Sequence, residues 1–265
     1  MAGSKTTSPR LKRTTGRIRQ SRAPLAFPIV VVGASAGGLE AFTSLLKSVP
    51  PRPGMAFVFI EHLDPKHESA LASLLSAATQ MRVAEPSDGT VIEPNHVYVI
   101  PPNKNMTIKA GALHLAPRSD GFGLQHPIDI FAISLAEERG NAAIGVVLSG
   151  SGSDGTRGLE AIKAAGGITF AQEPATAKWT AMPMSAMAAG AVDFVLPPHR
   201  IAAELAHIGH HPNPAQAREI PEGNELDKVC LILRASTGVD FGLYKKATVH
   251  RRIARRMAPE AKILE

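Results

Sequence analysis

Two kinds of hydrophobic spacing alternate along residues 28–208: short unbroken apolar runs, and stretches in which apolar positions return every three or four residues. The first kind fits strands buried on both faces, the second amphipathic helices. Ile29-Val-Val-Val32 passes through Gly33-Ala-Ser-Ala-Gly-Gly38 into Leu39, Phe42, Leu45 and Leu46, which predicts a strand, a tight glycine turn and a helix. Pro50-Pro-Arg-Pro-Gly54 reads as a turn before a second strand, Met55 to Ile60, which ends at Glu61-His62-Leu63-Asp64-Pro65. A helix follows over 67–78 with Leu71, Leu74 and Leu75 on its inner face. Alternation of this kind implies parallel strands joined by right-handed crossovers.

Between 82 and 116 the runs shorten and are broken by Gly89, Pro94, Pro101-Pro102 and Gly111, the mark of hairpins in an antiparallel insertion or edge. A helix over 128–138 is entered at Pro127. The regular pattern then resumes with a strand over 142–148 that ends in Ser149-Gly-Ser-Gly-Ser-Asp-Gly155. The next helix turns Leu159, Ile162 and Ala165 inward and stops at Gly166-Gly167; a strand over 168–171, a small-residue helix around 185–189, a strand over 192–196 and a helix over 198–208 complete the series. The fold class is α/β: a doubly wound, mostly parallel sheet with helices on both faces and a small antiparallel hairpin insertion. Residues 1–26 read as a disordered basic tail, 27–208 as the main domain, 209–224 as linker and 225–265 as a short all-α C-terminal fragment.

Charge sharpens this division. Residues 1–26 hold seven Lys/Arg and no acid, and residues 224–265 hold nine Lys/Arg against five Asp/Glu. With a whole-chain charge of +6, the stretch between carries −5, so the main domain is not a nucleic-acid binder by charge. The single cysteine, Cys230, leaves no internal disulfide and suits a reducing cytoplasm; it reads as a small buried apolar residue. No apolar run approaches about 18 residues, so no membrane insertion is indicated.

Parallel strands deliver their C-terminal residues to one edge of a sheet, where ligands bind. Three predicted strands end near Ser35, His62 and Asp154. A serine is a poor nucleophile until a base takes its proton, and the base must be held in one tautomer by a third group; serine, imidazole and carboxylate supply those roles. The turn around Ser35 equally fits a helix cap or a phosphate cradle, with Glu61 where a ribose-binding acid would stand, although Gly-x-Ser-x-Gly-Gly departs from the dinucleotide order. Asp154 sits where an N-cap belongs, and His126, before Pro127-Ile-Asp129, is the rival base. His62, Asp64 and His67 cluster in sequence, but Pro65 interrupts the spacing of a helical metal-ligand pair, so neither metal nor cofactor is expected.

The ordered set Gly33-Ala-Ser-Ala-Gly-Gly38, Glu61-His62, Leu148-Ser-Gly-Ser-Gly-Ser-Asp-Gly155, Ala171-Gln172 and Ala181-Met-Pro183 resembles the motif series of the chemotaxis protein-glutamate methylesterase catalytic domain, the CheB type. The resemblance implies a cytoplasmic serine hydrolase that cleaves glutamyl methyl esters on chemoreceptor-like signalling proteins, with glutamine deamidation in some members. It puts the nucleophile on Ser35, the base on His62 and the orienting acid on Asp154. Ala36, Gly37, Ser151 and Met182 then line the oxyanion side or shape the site, and the loop from Trp179 to Met184 either walls the pocket or packs in the core. Chemotaxis members usually carry Thr at position 36 and Met at position 151, which affects the expected substrate more than the reaction. The usual phosphoacceptor receiver domain is not expected to regulate this chain.

Phe241-Gly-Leu-Tyr-Lys-Lys-Ala-Thr-Val-His-Arg-Arg-Ile-Ala-Arg-Arg-Met257 resembles the start of the helical subdomain of the CheR-type chemoreceptor methyltransferases. The resemblance implies a methylesterase/methyltransferase fusion cut early in its second part, without methyltransferase activity. Arg251, Arg252, Arg255 and Arg256 read as a solvated helix face, with an acidic receptor surface as the alternative contact.

Overall fold

A computed structural model describes residues 27–61, 71–118, 126–210, 249, 252 and 253. The 1–26 tail, the 211–224 part of the linker, Cys230, Arg251, Arg255 and Arg256 lie outside the described residues, as do His62, Asp64 and His67.

The chain begins with β1 (Ile29–Ala34), α1 (Gly38–Ser48), β2 (Ala56–Glu61) and α2 (Leu71–Ser76). Five short strands follow: β3 (Arg82–Ala84), β4 (Thr90–Val91), β5 (His96–Val99), β6 (Lys104–Lys109) and β7 (Ala112–Pro117). The alternation then resumes through α3 (Pro127–Arg139), β8 (Ala143–Val147), α4 (Thr156–Ala164), β9 (Ile168–Gln172), α5 (Ala181–Ala188), β10 (Phe194–Leu196) and α6 (Pro198–His210). Seven strands form a parallel sheet in the order β10-β9-β8-β1-β2-β5-β3, with β1 central. The hairpin region thus divides. β3 and β5 join the parallel sheet as its edge, while β4, β7 and β6 make a separate antiparallel sheet.

Alternation along β1 sends Val30, Val32 and Ala34 to one face and Ile29 and Val31 to the other, all at most 1% exposed. The first face is covered by Phe42, Leu45 and Leu46 of α1, Leu71 and Leu75 of α2, and Ile201 and Leu205 of α6. Phe42 stacks on Phe59 of β2 with ring centroids 4.3 Å apart. The second face receives Phe131 and Leu135 of α3, Leu159 and Ile162 of α4, and Met182 and Ala186 of α5. Each large side chain removed from water in this way contributes about 1.5–3 kcal/mol.

The antiparallel sheet closes over the outer side of α3, burying Met106, Ile108 and Leu113 in the second core. Backbone N–H groups of Ile108 and Gly111 donate to Ser134 Oγ and Glu138 Oε1 of α3, at 3.1 and 3.0 Å. Helix α3 is therefore packed on two sides, which explains why it is less amphipathic in sequence than α1. Leu74 differs from its inward assignment: it is 55% exposed, because Leu71 and Leu75, one turn apart, already fill the core side of α2.

No described helix is long and apolar enough to cross a membrane.

Candidate active site

β1 delivers Ser35 to the C-terminal edge of the sheet. Ala34 is in register with Glu61, the residue before His62, and the Ser35 N–H donates to the Ser149 carbonyl at 3.1 Å just beyond β8. The chain then turns sharply, with Gly38 N–H donating to the Ser35 carbonyl at 2.8 Å and Gly37 in the left-handed region at φ 72°. A Cβ at Gly37 would also come within 2.9 Å of Ser149 Oγ, so position 37 admits glycine on two counts.

Gly37, not Ser35, is the N-cap of α1, and no side chain caps that helix. The cap reading of Ser35 is excluded. Its hydroxyl makes no hydrogen bond to any described residue, and no described residue accepts from the N–H of Ala36 or Gly37. One hydroxyl and two free amides at a helix start thus share one half-open turn.

Asp154 follows β8 and is 3% exposed. The N-cap expectation fails in its detail: the N-cap of α4 is Gly155, at φ 92°. The Asp154 carboxylate turns instead to the start of α3, where Oδ2 accepts Ile128 N–H at 3.1 Å and Oδ1 accepts Asp129 N–H at 3.0 Å. Oδ1 also accepts Gly155 N–H at 2.8 Å. A carboxylate that accepts three amide N–H groups is held in one orientation. Arg118 faces it; burial pulls the guanidinium below its ordinary pKa, and the Asp154 charge opposes that pull.

Asp129, which carried no role in the sequence reading, stands beside it at 5% exposure. Its Oδ1 accepts Gly155 N–H at 2.9 Å and Gly158 N–H at 2.8 Å, at the start of α4. Burial raises the Asp129 pKa above the ordinary carboxylate value; the N–H of Gly158 and Gly155 and the nearby His126 oppose the rise, and the Asp154 charge adds to it. The clue in the sequence was Asp129 two positions after Pro127, in the first turn of a helix.

His126 lies near this pair, with Nδ1 3.7 Å from Asp154 Oδ1 and 4.0 Å from Asp129 Oδ2. Its Nδ1 is buried and makes no hydrogen bond, while the side chain is 38% exposed. His126, Asp129 and Asp154 could in principle offer a metal three ligand atoms within 4.8 Å of one another. The carboxylates, however, are turned to backbone N–H groups at two helix N-termini, whose positive ends oppose a cation.

Ser149 is a second residue the sequence reading passed over. It is 1% exposed; its Oγ donates to the Ala36 carbonyl at 2.9 Å and accepts Trp179 N–H at 3.0 Å, and its N–H donates to Gln172 Oε1 at 2.9 Å. One hydroxyl thereby ties the Ser35 turn to the loop before α5. Gly150 continues the tie, with its N–H on the Trp179 carbonyl and its carbonyl on Met182 N–H, each at 3.1 Å. A Cβ on Gly150 would collide with Met182 Sδ and come within 3.0 Å of Ser35 Cβ, so fully buried Met182 forms a wall one backbone thickness from the serine. The Trp179 to Met184 stretch packs in the core at Met182, which bears out that alternative. Met182 is core, and Trp179 is 51% exposed beside the turn. Ser151 is exposed.

Residues 30–205 match the CheB methylesterase family. The chain belongs to that family. A crystal structure of the Thermotoga maritima CheB methylesterase catalytic domain superposes with a TM-score of 0.64 at 28% identity, covering 69% of this chain and all of that one. Protein-glutamate methylesterase/protein-glutamine glutaminase 2 of Pseudomonas aeruginosa is 37% identical over 193 residues, and its namesake from Rhodospirillum rubrum 32% over 196, covering 70% and 72% of this chain. An uncharacterized 104.1 kDa protein of Rhodobacter capsulatus is 38% identical over 212 residues, 71% of this chain. The matched regions amount to 55%, 54% and 22% of those three proteins, so the chain spans about half the length of the named methylesterases and less of the third. Residues 224–260 match the all-α domain of CheR methyltransferases. The Ser35 turn lies within the stretch that matches the CheB methylesterase family.

Proposed function

We propose that this CheB-family domain hydrolyses glutamyl methyl esters by two-step acyl transfer, with Ser35 as nucleophile, His62 as base and Asp154 as the acid that orients it. The observation that carries the reading is the pairing, on one sheet edge, of an uncapped serine turn with a buried carboxylate anchored by three backbone amides. His62 takes the Ser35 proton as Oγ bonds to the ester carbonyl carbon, and the oxyanion is received by the N–H groups of Ala36 and Gly37. The carbon–methoxy bond breaks, methanol leaves with the proton from His62, and water activated by the same imidazole releases the glutamate and restores the serine.

The substrate in this reading is a methylated chemoreceptor-like signalling protein in the cytoplasm. The relatives named protein-glutamine glutaminase support an amide variant of the same chemistry, in which ammonia leaves in place of methanol. Exposed Trp179 beside the turn offers the substrate an aromatic contact.

Labelling with a serine-directed fluorophosphonate tests the nucleophile. Mass increase on the peptide containing Ser35, lost in Ser35→Ala and in His62→Ala, is expected; labelling that persists in Ser35→Ala contradicts the assignment. His126 gives a second reading of the base, favoured by its 3.7 Å approach to Asp154.

A further inference from the structure

The stretch that matches the CheR all-α family meets the methylesterase domain at Arg252. Its Nη2 stands 2.7 Å from both oxygens of Asp193; the contact to Oδ2 is a hydrogen bond and that to Oδ1 an ion pair. Arg252 was expected on a solvated face, and the ion pair with a buried carboxylate corrects that. The Asp193 side chain is 3% exposed.

Asp193 is built into the sheet. Its Oδ2 accepts Thr169 N–H at 3.1 Å, and its own N–H donates to the Thr169 carbonyl and Oγ1 at 3.1 and 3.0 Å. Lys163 Nζ lies 3.4 Å from Oδ1 while donating to the Gly190 carbonyl at 2.7 Å. Two cations therefore converge on one dehydrated carboxylate. Val249, three residues before Arg252, is itself buried at 7% exposure. An exposed ion pair alone would hold little; one made to a buried, hydrogen-bonded carboxylate holds more.

We propose that Asp193, with Lys163 behind it, is the docking socket of the CheR-family segment. Thr169 and Asp193 stand at the N-terminal ends of β9 and β10, whereas Ser35 and Ser149 stand at the C-terminal edge. Arg252 is thus held at the end of the sheet opposite the Ser35 turn, which ties the two family modules together away from that turn.

Hydrogen exchange of the full-length chain, read peptide by peptide, tests the socket in wild type, Arg252→Ala, Arg252→Lys, Asp193→Asn and the Arg252→Ala/Asp193→Asn double variant. Arg252→Ala and Asp193→Asn each speed exchange over 249–253 by about tenfold or more, Arg252→Lys does so less, and the double variant adds nothing to either single one. Peptides over β8 keep their protection, which separates undocking from unfolding. Unchanged exchange over 249–253 in Arg252→Ala overturns the proposal, and so does loss of protection that spreads to β8 in that variant.

Discussion

Asp154 and Asp129 cap each other's helices. The Asp154 carboxylate, just before α4, accepts the N–H groups of Ile128 and Asp129 at the start of α3, and the Asp129 carboxylate, in the first turn of α3, accepts those of Gly155 and Gly158 at the start of α4. Neither helix has a side-chain cap of its own, so each carboxylate satisfies orphan amides of the neighbouring helix. The loop that presents Asp154, the proposed orienting acid, is thereby fixed to the helix packed against it.

Removing Asp154 has a double cost. Asp154→Ala leaves the buried N–H groups of Ile128 and Asp129 without their acceptor and lowers stability by about 2–4 kcal/mol, read by urea denaturation. Asp154→Asn retains one acceptor oxygen and loses less stability, yet hydrolysis falls by roughly 10²–10⁴ because the imidazolium of the base loses its counter-charge. Equal losses of activity and fold in the two variants contradict this account.

Asp129 gives a pH signature. Because burial raises its folded pKa, the folded chain binds that proton more tightly than the unfolded chain does. The stability gained is present at acid pH and is lost as pH rises through the folded value. Asp129→Asn keeps an acceptor oxygen for Gly155 and Gly158 but has no proton to bind. The wild type's stability relative to Asp129→Asn should therefore be greatest near about pH 3.5 and decline toward about pH 7, in denaturant melts at each pH. A relative stability that rises with pH refutes the assigned direction.

Ser149→Ala removes the hydroxyl that joins the Ala36 carbonyl to Trp179 N–H. Stability drops by about 1–2 kcal/mol, while hydrolysis drops by roughly tenfold or more through a displaced oxyanion turn. Ser149→Thr, which keeps the hydroxyl, recovers part of both.

The strands and helices were legible because burial on both faces and on one face leave different spacings, as β1 and α1 show. The doubly wound order followed from their alternation. What the spacing hid was contact between distant elements. Leu74 falls on the expected stripe, but Leu71 and Leu75 exhaust the space under that short helix. β3 and β5 looked like hairpin strands because length and turn residues do not say which neighbour a strand pairs with. Ser35 was recognisable from its glycine turn, whereas Ser149 and Asp129 owe their roles to partners 113 and 29 positions away. Arg252 looked solvated because nothing in a run of arginines marks the one that meets a buried carboxylate.

The base is assigned by comparing His62→Ala with His126→Ala. Loss of roughly 10⁴–10⁶ in kcat on removing His62, with at most about a tenfold effect on removing His126, is the expected result. The reverse pattern gives the role of base to His126.

The central claim is tested most directly by methanol release from methylated receptor cytoplasmic fragments, followed for wild type and Ser35→Ala at matched concentration. Release by the wild type that vanishes in the variant is the predicted result; equal release by both, or none by a folded wild type, contradicts the proposal that Ser35 carries out glutamyl ester hydrolysis.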